Sequence, residues 1–148
     1  MESRLFDHID LRVRNRARAQ EFFAKILPAI GFTLNKSAEE WGAFEKDGGG
    51  KPAEFFAFDE DANHRPNETR IAFWAETREQ IDRVAKIVRE AGGQNLEGPQ
   101  IWREYSPGYY ALFFEDPDGN KLEICCRGAQ SLQSEADQGR IKRVSFPS

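Results

Sequence analysis

Four polar residues at repeat-related positions could carry chemistry in this 148-residue chain: His8, Glu54, Arg70 and Glu123. Arg70 follows His8 by 62 residues, and the same offset separates Gly31 from a second glycine. Glu123 follows Glu54 by 69 residues, which implies a net insertion of 7 residues in the second half. An internal repeat constrains the fold before any single residue is read for chemistry. We therefore expect two similar units that each supply residues to a shared site.

Three interpretations of these residues remain open. In the first, His8, Glu54 and Glu123 bind a divalent metal such as Ni, Zn, Mn or Fe, and water completes the coordination shell. In the second, Arg70 replaces the metal, because a guanidinium stays protonated, cannot ligate a cation, and can hold a carboxylate or enolate. In the third, the site is vestigial and Arg70 neutralises buried acids. The second and third are favoured, since a lost ligand and an added positive charge both weaken cation binding.

The sequence of the first unit, which contains His8 and Glu54, predicts the element order β-α-β-β-β. Apolar and polar residues alternate over residues 6–13, which predicts a strand. Apolar residues recur at helical spacing over 16–27, with Asn15 as a suitable N-cap, and Pro28 is expected to end or kink this helix. Three further strands are predicted at residues 32–34, 41–45 and 53–58.

The second unit repeats this order after a polar linker at residues 59–69. Thr77 is a suitable N-cap for a helix over 78–91, which Gly92 ends. Residues 116–119 have the residue types of a turn. Strands are predicted at residues 70–75, 94–97, 109–115 and 121–126, with a loop over 98–108.

The chain turns polar beyond Arg127. Residues 128–140 are interpreted as a mobile or loosely helical tail. Apolar side chains near the C-terminus are expected to dock against another surface: Ile141, Val144 and Phe146.

Composition excludes several classes of protein. The net charge of −4 and the pI near 5.3 argue against a nucleic-acid binder, whose surface is basic. No apolar run approaches the roughly 18 residues that span a membrane, and the first residues lack the apolar stretch of a signal peptide. The adjacent Cys125 and Cys126 form no disulfide framework and are interpreted as reduced, small apolar strand residues. A cytoplasmic globular protein is therefore expected.

Residues 108–123 read GYYALFFEDPDGNKLE and carry a recognisable motif. The Asp-Pro-Asp-Gly-Asn turn followed by Leu-Glu resembles the vicinal oxygen chelate superfamily. That superfamily includes lactoylglutathione lyase (glyoxalase I), fosfomycin-resistance thiol transferases, extradiol dioxygenases and bleomycin-resistance proteins. The Phe-Asp-His-Ile segment at residues 6–9 resembles the start of its first unit. The resemblance covers residues 5–126.

The resemblance implies an α+β fold in which two paired βαβββ modules, with curled mixed sheets, form a cleft for a divalent metal. It implies one glyoxalase-like domain over residues 1–148, with module one at 5–60, module two at 67–126 and a C-terminal tail at 127–148. It also implies a homodimer.

The resemblance assigns site residues position by position. His8 matches the first-strand histidine ligand, Glu123 matches the glutamate ligand of the last strand, and Glu54 matches the first-unit glutamate of glyoxalase-type members. Arg70 stands where the family usually has its second histidine, so the metal is absent if Arg70 replaces that ligand.

Aromatic residues near the last two strands are implied to line the substrate cleft: Trp102, Tyr105, Tyr109 and Tyr110. Core packing of Tyr110 and anchoring of the loop by Trp102 are equally open alternatives.

The implied function is that of a small-molecule cleft enzyme, either a lyase or isomerase close to lactoylglutathione lyase or a dioxygenase-type enzyme, or a descendant with an altered metal site. Its catalytic residues would be Glu54, Glu123 and Arg70. The alternative is a metal-free binding protein that sequesters a small toxic compound, as bleomycin-resistance proteins do. Both expect a small-molecule partner, and neither expects a nucleic acid or a membrane.

Overall fold

The computed structural model describes residues 4–127. The chain divides between Arg65 and Pro66 into two compact units, and each unit has the element order β-α-β-β-β. Each contains one four-stranded mixed sheet and one long helix. The predicted α+β class and the two βαβββ modules are therefore confirmed. The predictions for residues 128–140 and for Ile141, Val144 and Phe146 lie outside the described residues.

Unit 1 builds its sheet in the order β1-β4-β3-β2, with β1 parallel to β4 and the other pairs antiparallel. Asn15 caps α1 by accepting a hydrogen bond from the Arg18 backbone N–H at 2.9 Å. Phe23 of α1 packs on Phe56 and Phe58, with ring centroids 5.3 and 4.9 Å apart. The elements of unit 1 are β1 (His8–Val13), α1 (Arg16–Ile30), β2 (Leu34–Asn35), β3 (Trp41–Glu45) and β4 (Phe55–Glu60).

Pro28 does not end α1, which continues to Ile30, so an end at residue 27 is wrong. A proline inside a helix removes one backbone donor and leaves the carbonyl four residues earlier without its helical partner. That residue, Ala24, is exposed, so water can satisfy its carbonyl. Leu27 and Ile30 on the same last turns are buried, and their burial offsets the lost bond.

Unit 2 builds its sheet in the order β5-β8-β7-β6, with β5 parallel to β8. Thr77 caps α2 by accepting from the Gln80 backbone N–H at 3.1 Å, and Gly92 ends it in the left-handed conformation. Among residues 4–127, neither helix is long and apolar enough to cross a membrane. The elements of unit 2 are β5 (Arg70–Ala75), α2 (Arg78–Ala91), β6 (Gln94–Ile101), β7 (Tyr110–Glu115) and β8 (Lys121–Cys126).

Strand β6 is longer than predicted and takes up the first part of the expected loop. The sequence prediction stopped at residue 97 because Gly98 and Pro99 normally break a strand. The strand instead continues to Ile101 through two irregularities in its pairing with β7. Such bulges let an edge strand absorb residues that do not fit a regular ladder.

The strand registers correct the alignment of the two repeats. His8 lies opposite Phe55, and Arg70 lies opposite Lys121. If Arg70 corresponds to His8, then Lys121 corresponds to Phe55 at an offset of 66 residues. The net insertion is therefore 4 residues rather than 7.

This correction separates the two glutamates that the sequence had paired. Glu123 lies opposite Ala72 on β5, and the residue with that place in unit 1 is Ala57, opposite Asp10. Glu54 precedes β4 and belongs to no strand. The prediction that Glu54 and Glu123 hold equivalent places is wrong, because a match of three apolar and acidic residues cannot fix register where loop lengths differ.

The turn between β7 and β8 is organised by one buried carboxylate. Asp116 is 1% exposed, and its side chain accepts from the backbone N–H groups of Asp118 and Asn120, both at 2.9 Å. It also accepts from the Asn120 side-chain amide at 2.7 Å. Gly119 completes the turn with a φ of 94°, which glycine adopts without strain. This turn fixes the register of β8 against β7.

We expect Asp116→Ala to lower the free energy of unfolding by about 2–3 kcal/mol, because buried donors lose their acceptor at about 1–3 kcal/mol each. Asp116→Asn keeps one oxygen acceptor and should cost less. Urea unfolding measures both. Asp47→Ala is the matched control, since Asp47 accepts from one exposed backbone N–H in the turn of unit 1. An equal loss in the two alanine variants would contradict a special role for Asp116.

Candidate functional site

The candidate site lies on one face of the unit 2 sheet. Tyr110 marks the other face, because its hydroxyl donates to Asp82 of α2 at 2.6 Å. Side chains alternate along a strand, so Phe113 projects away from α2. Glu123 lies directly opposite Phe113 and shares this face.

One row of residues crosses all four strands of unit 2 at this point. Ala72 lies opposite Glu123, Glu123 lies opposite Phe113, and Phe113 lies opposite Glu97. Neighbouring strands are about 4.8 Å apart. The row therefore places a carboxylate on each side of the Phe113 ring.

Glu123 is a buried acid with a defined hydrogen-bond partner. Its side chain is 2% exposed, and the Tyr109 hydroxyl donates to its Oε2 atom. Burial raises the pKa of the Glu123 carboxyl, while the Tyr109 hydrogen bond and the positive charges of Arg70 and Arg127 oppose that rise. The carboxyl therefore holds its proton to a higher pH than a solvated glutamate.

Tyr109 is held between several neighbours rather than facing open space. Burial first, and then the hydrogen bond to Glu123, raise the pKa of its hydroxyl, so it remains a donor. The Arg127 guanidinium lies 5.1 Å from its ring centroid, and the Tyr105 ring meets it edge-on at 5.3 Å. Cys125 joins the same cluster as a free, buried thiol whose pKa is raised by burial.

Arg70 reaches across a neighbouring strand. It begins on β5, yet its guanidinium carbon lies 4.9 Å from the ring centroid of Phe113 on β7. Strand β8 separates β5 from β7, so the arginine side chain crosses β8 in the region of Glu123. The guanidinium combines a stacking contact with a charge interaction with the buried acid.

A cavity of about 220 Å³ opens on this face. Trp102 forms part of its wall, where its indole N–H donates to the Ala111 carbonyl at 3.1 Å and its ring meets Phe113 edge-on at 5.0 Å. Tyr105 stacks beside Trp102 at 6.5 Å. The lining residues are Arg70, Asn95, Glu97, Trp102, Glu104, Tyr105, Phe113, Phe114, Glu115 and Lys121.

The cavity thus brings together three of the residues named from sequence, Arg70, Trp102 and Tyr105. Tyr109 and Tyr110 are not part of the lining. The ring of Tyr110 lies under the Arg78 guanidinium at 5.4 Å on the α2 side, where burial and then the bond to Asp82 raise its pKa to about 12. Substrate contact by any of the four aromatic residues stays a prediction.

Sequence reasoning missed several polar residues of the lining. Lys121 could have been found from the sequence, because it lies two residues before Glu123 on a correctly predicted strand. Residues two apart in a strand share a face. Glu97 and Asn95 could not have been found in this way, because they lie on β6, whose pairing with β7 is irregular. Asn95 adopts a positive φ of 50°, and its side chain donates to Glu115 at 2.9 Å.

The candidate site residues of unit 1 are His8 and Glu54. His8 is about half exposed, its Nδ1 lies 2.8 Å from the Asp7 carboxylate, and its ring stacks on Phe55 with centroids 4.4 Å apart. The backbone carbonyl of Glu54 accepts from the Lys46 N–H at 3.0 Å, just before β4 begins. A shared role of these residues with Glu123 stays a prediction, because they belong to the other unit.

The residues of unit 2 do not fit a divalent metal. Glu123 is the buried carboxylate in the row of residues that crosses the sheet. It accepts a hydrogen bond from Tyr109 and interacts with the positive charge of the Arg70 guanidinium. A cation placed there would meet a fixed positive charge. Within the described part of either unit, no three His, Cys, Asp or Glu residues group closely enough to hold a metal ion.

The chain matches a known protein family over most of its length. The family model described as Glyoxalase/Bleomycin resistance protein/Dioxygenase superfamily matches residues 5–124. No curated protein matches the chain.

Several solved structures share the fold at low sequence identity. A glyoxalase/bleomycin resistance protein from Albidiferax ferrireducens T118 is 24% identical with a TM-score of 0.67, over 82% of this chain and 98% of that one. The fosfomycin resistance protein FosX from Mesorhizobium loti is 17% identical with a TM-score of 0.60, over 92% and 99%. FosX from Listeria monocytogenes is 18% identical with a TM-score of 0.61, over 90% and 98%. At these identities the likeness establishes the fold alone.

We expect the stability difference between the wild type and Glu123→Gln to depend on pH. The pKa of Glu123 is raised in the folded protein, so its contribution is fully present below the unfolded value near 4.5 and is lost as pH rises through the folded value. Unfolding free energies at several pH values from about 4 to 8 should show the wild type losing stability relative to the glutamine variant. The glutamine side chain can still accept from Tyr109, which makes this the conservative replacement. If the wild type instead gains stability relative to the glutamine variant as pH rises, the Tyr109 hydrogen bond and the two arginines outweigh burial.

Proposed function

The chain belongs to the glyoxalase/bleomycin resistance protein/dioxygenase superfamily, and we propose that its unit 2 binds a small organic carboxylate without a metal. Arg70 supplies the positive charge that a metal would otherwise provide. The protein is then a small-molecule binding protein of this superfamily, and sequestration of a compound is its most direct use.

The observation that carries the proposal is the position of the Arg70 guanidinium at the cavity. It lies on the Phe113 ring and lines the same space as Trp102 and Tyr105. A guanidinium presents several N–H donors in one plane, which suits the two oxygens of a carboxylate. The aromatic wall suits an apolar ligand body.

The size of the cavity limits the ligand. Pockets for drug-sized molecules are typically about 300–1,000 Å³, and this cavity is smaller, at about 220 Å³. A single ring or a branched aliphatic group with a short polar chain is the appropriate scale.

A second candidate is the metal-dependent enzyme, a lyase, isomerase or dioxygenase-type member of the superfamily. The buried Glu123 favours it, since burial raises the pKa of its carboxyl and a raised carboxyl pKa favours general acid–base catalysis. In this case Glu54, Glu123 and Arg70 act on the substrate, and His8, Glu54 and Glu123 are the candidate ligands. The donor set of unit 2 supports it less well than carboxylate binding.

For either candidate function, we also propose a domain organisation, a cellular location, an oligomeric state and a class of partner. Residues 1–148 form one functional domain, with modules at 5–60 and 67–126 and a tail at 127–148. The protein works in the cytoplasm as a homodimer on a small molecule, without nucleic acid or membrane. Analytical ultracentrifugation measures the oligomeric state.

We expect 3-phenylpropionate to bind the wild type in the millimolar range or tighter, and Arg70→Gln to raise its Kd at least tenfold, about 1.4 kcal/mol. Arg70→Lys should lie between them, because an ammonium keeps the charge but loses the planar donors. Isothermal titration calorimetry measures each Kd. Arg83→Gln removes the same charge from an exposed position on α2 and should leave Kd unchanged. Equal binding by wild type and Arg70→Gln would overturn the proposal.

We expect wild-type protein to retain no stoichiometric metal after dialysis against Ni, Zn, Mn or Fe(II), as measured by plasma mass spectrometry. Arg70→His should gain metal, because it removes a positive charge and adds a ligand, whereas Arg70→Gln removes the charge alone and serves as the control. Stoichiometric metal in the wild type that is lost in His8→Ala or Glu123→Ala would decide for the metal-dependent enzyme. No gain in Arg70→His would argue that Arg70 does not stand at a ligand position.

A further inference from the structure

We infer that the ligand of this cavity carries a positive group beside its carboxylate, which makes the substrate class an α-amino acid with an apolar side chain. The inference rests on the proposed function, because it takes carboxylate binding at Arg70 as given. It adds the second charge, its location and the resulting selectivity.

The charges of the lining provide the first argument. Two cationic side chains, Arg70 and Lys121, face three carboxylates, those of Glu97, Glu104 and Glu115. A simple carboxylate would add negative charge to a space that already has an excess of it. A zwitterion adds no net charge and can match both signs.

The positive pole is formed by two neighbouring strands. Arg70 of β5 and Lys121 of β8 lie directly opposite each other and both line the cavity. Like charges directly opposite each other in a sheet repel. The Lys121 ammonium is 3.0 Å from the Glu68 carboxylate, which offsets part of that repulsion. A ligand carboxylate on the Arg70 side offsets more of it.

The negative pole lies on β6, which β7 separates from β8. Glu97 of β6 lies directly opposite Phe113, whose ring carries the Arg70 guanidinium. Glu104 lies on the loop that carries Tyr105 and is exposed at the same cavity. Glu115 already accepts a hydrogen bond from Asn95, so Glu97 and Glu104 are the carboxylates best placed for a ligand ammonium.

The spacing of the poles selects the kind of zwitterion. Phe113 and Glu97 are on adjacent strands, which are about 4.8 Å apart. This short spacing favours a carboxylate and an ammonium attached to the same carbon over two charges at opposite ends of a longer molecule. The side chain on that carbon then lies against the aromatic wall of Trp102 and Tyr105.

Three matched probes separate the two charges. L-Phenylalanine carries both, 3-phenylpropionate lacks the amine, and 2-phenylethylamine lacks the carboxylate. In calorimetric titrations of the full chain at neutral pH, we expect L-phenylalanine to bind at least tenfold more tightly than either truncated probe. L-Leucine tests the same head group with an aliphatic side chain.

Substitutions assign each half of the ligand to its pole. Arg70→Gln should weaken L-phenylalanine and 3-phenylpropionate at least tenfold. The Glu97→Gln, Glu104→Gln double variant should weaken L-phenylalanine and 2-phenylethylamine but not 3-phenylpropionate. Glu90→Gln, an exposed change on α2, is the control and should alter none of them. Circular dichroism and melting temperature verify that each variant folds.

The outcomes distinguish this inference from the proposed function. If 3-phenylpropionate binds as tightly as L-phenylalanine, with loss in Arg70→Gln, the zwitterion is overturned and carboxylate binding stands. If the glutamine double variant leaves L-phenylalanine unchanged, the negative pole is overturned. If neither amino acid nor 3-phenylpropionate binds, or if only the amine binds, both the inference and the proposed function fail.

Discussion

The position of β8 between β5 and β7 is the constraint on which the candidate site depends. Its register against both neighbours places Glu123 opposite Ala72 on one side and Phe113 on the other. The small alanine leaves room above the sheet, and the arginine two residues earlier on β5 reaches across β8 to the phenylalanine. Because the Asp116 turn holds this register, a buried carboxylate outside the cavity lining helps to determine which side chains meet in the cavity.

Much of the fold follows from sequence because its elements satisfy local rules that agree with one another. Strand β5, helix α2 and strand β8 have the predicted bounds, since alternation, caps and turn residues all indicate the same ends. Pro28 and strand β6 are exceptions, because burial of the last turn of α1 outweighs one local signal and β6 continues past Gly98 and Pro99 through irregular pairing. The repeat identified Arg70 and Glu123 as neighbours in one unit but misplaced Glu54, since register depends on loop lengths that short matches cannot determine.

Arg70 is the residue at which the proposed chemistry of the site departs from what the family resemblance implies. The superfamily model matches most of the chain, and many of its residues serve packing and turns. One side chain can alter what a site holds without disturbing the residues that form the fold, so the same fold supports unrelated chemistries. In unit 2, the guanidinium, the Tyr109–Glu123 pair and the aromatic wall form one connected arrangement.

The irregular strand β6 gives this arrangement one adjustable side. Glu97 lies between two shifts of register at the edge of the sheet, whereas Arg70 and Glu123 lie on strands with continuous pairing. An insertion or deletion in β6 moves Glu97 along the cavity wall without moving the arginine. On the proposed binding mode, the residue that meets the ligand's second group can therefore shift along the edge of the sheet while the guanidinium that meets the first keeps its place.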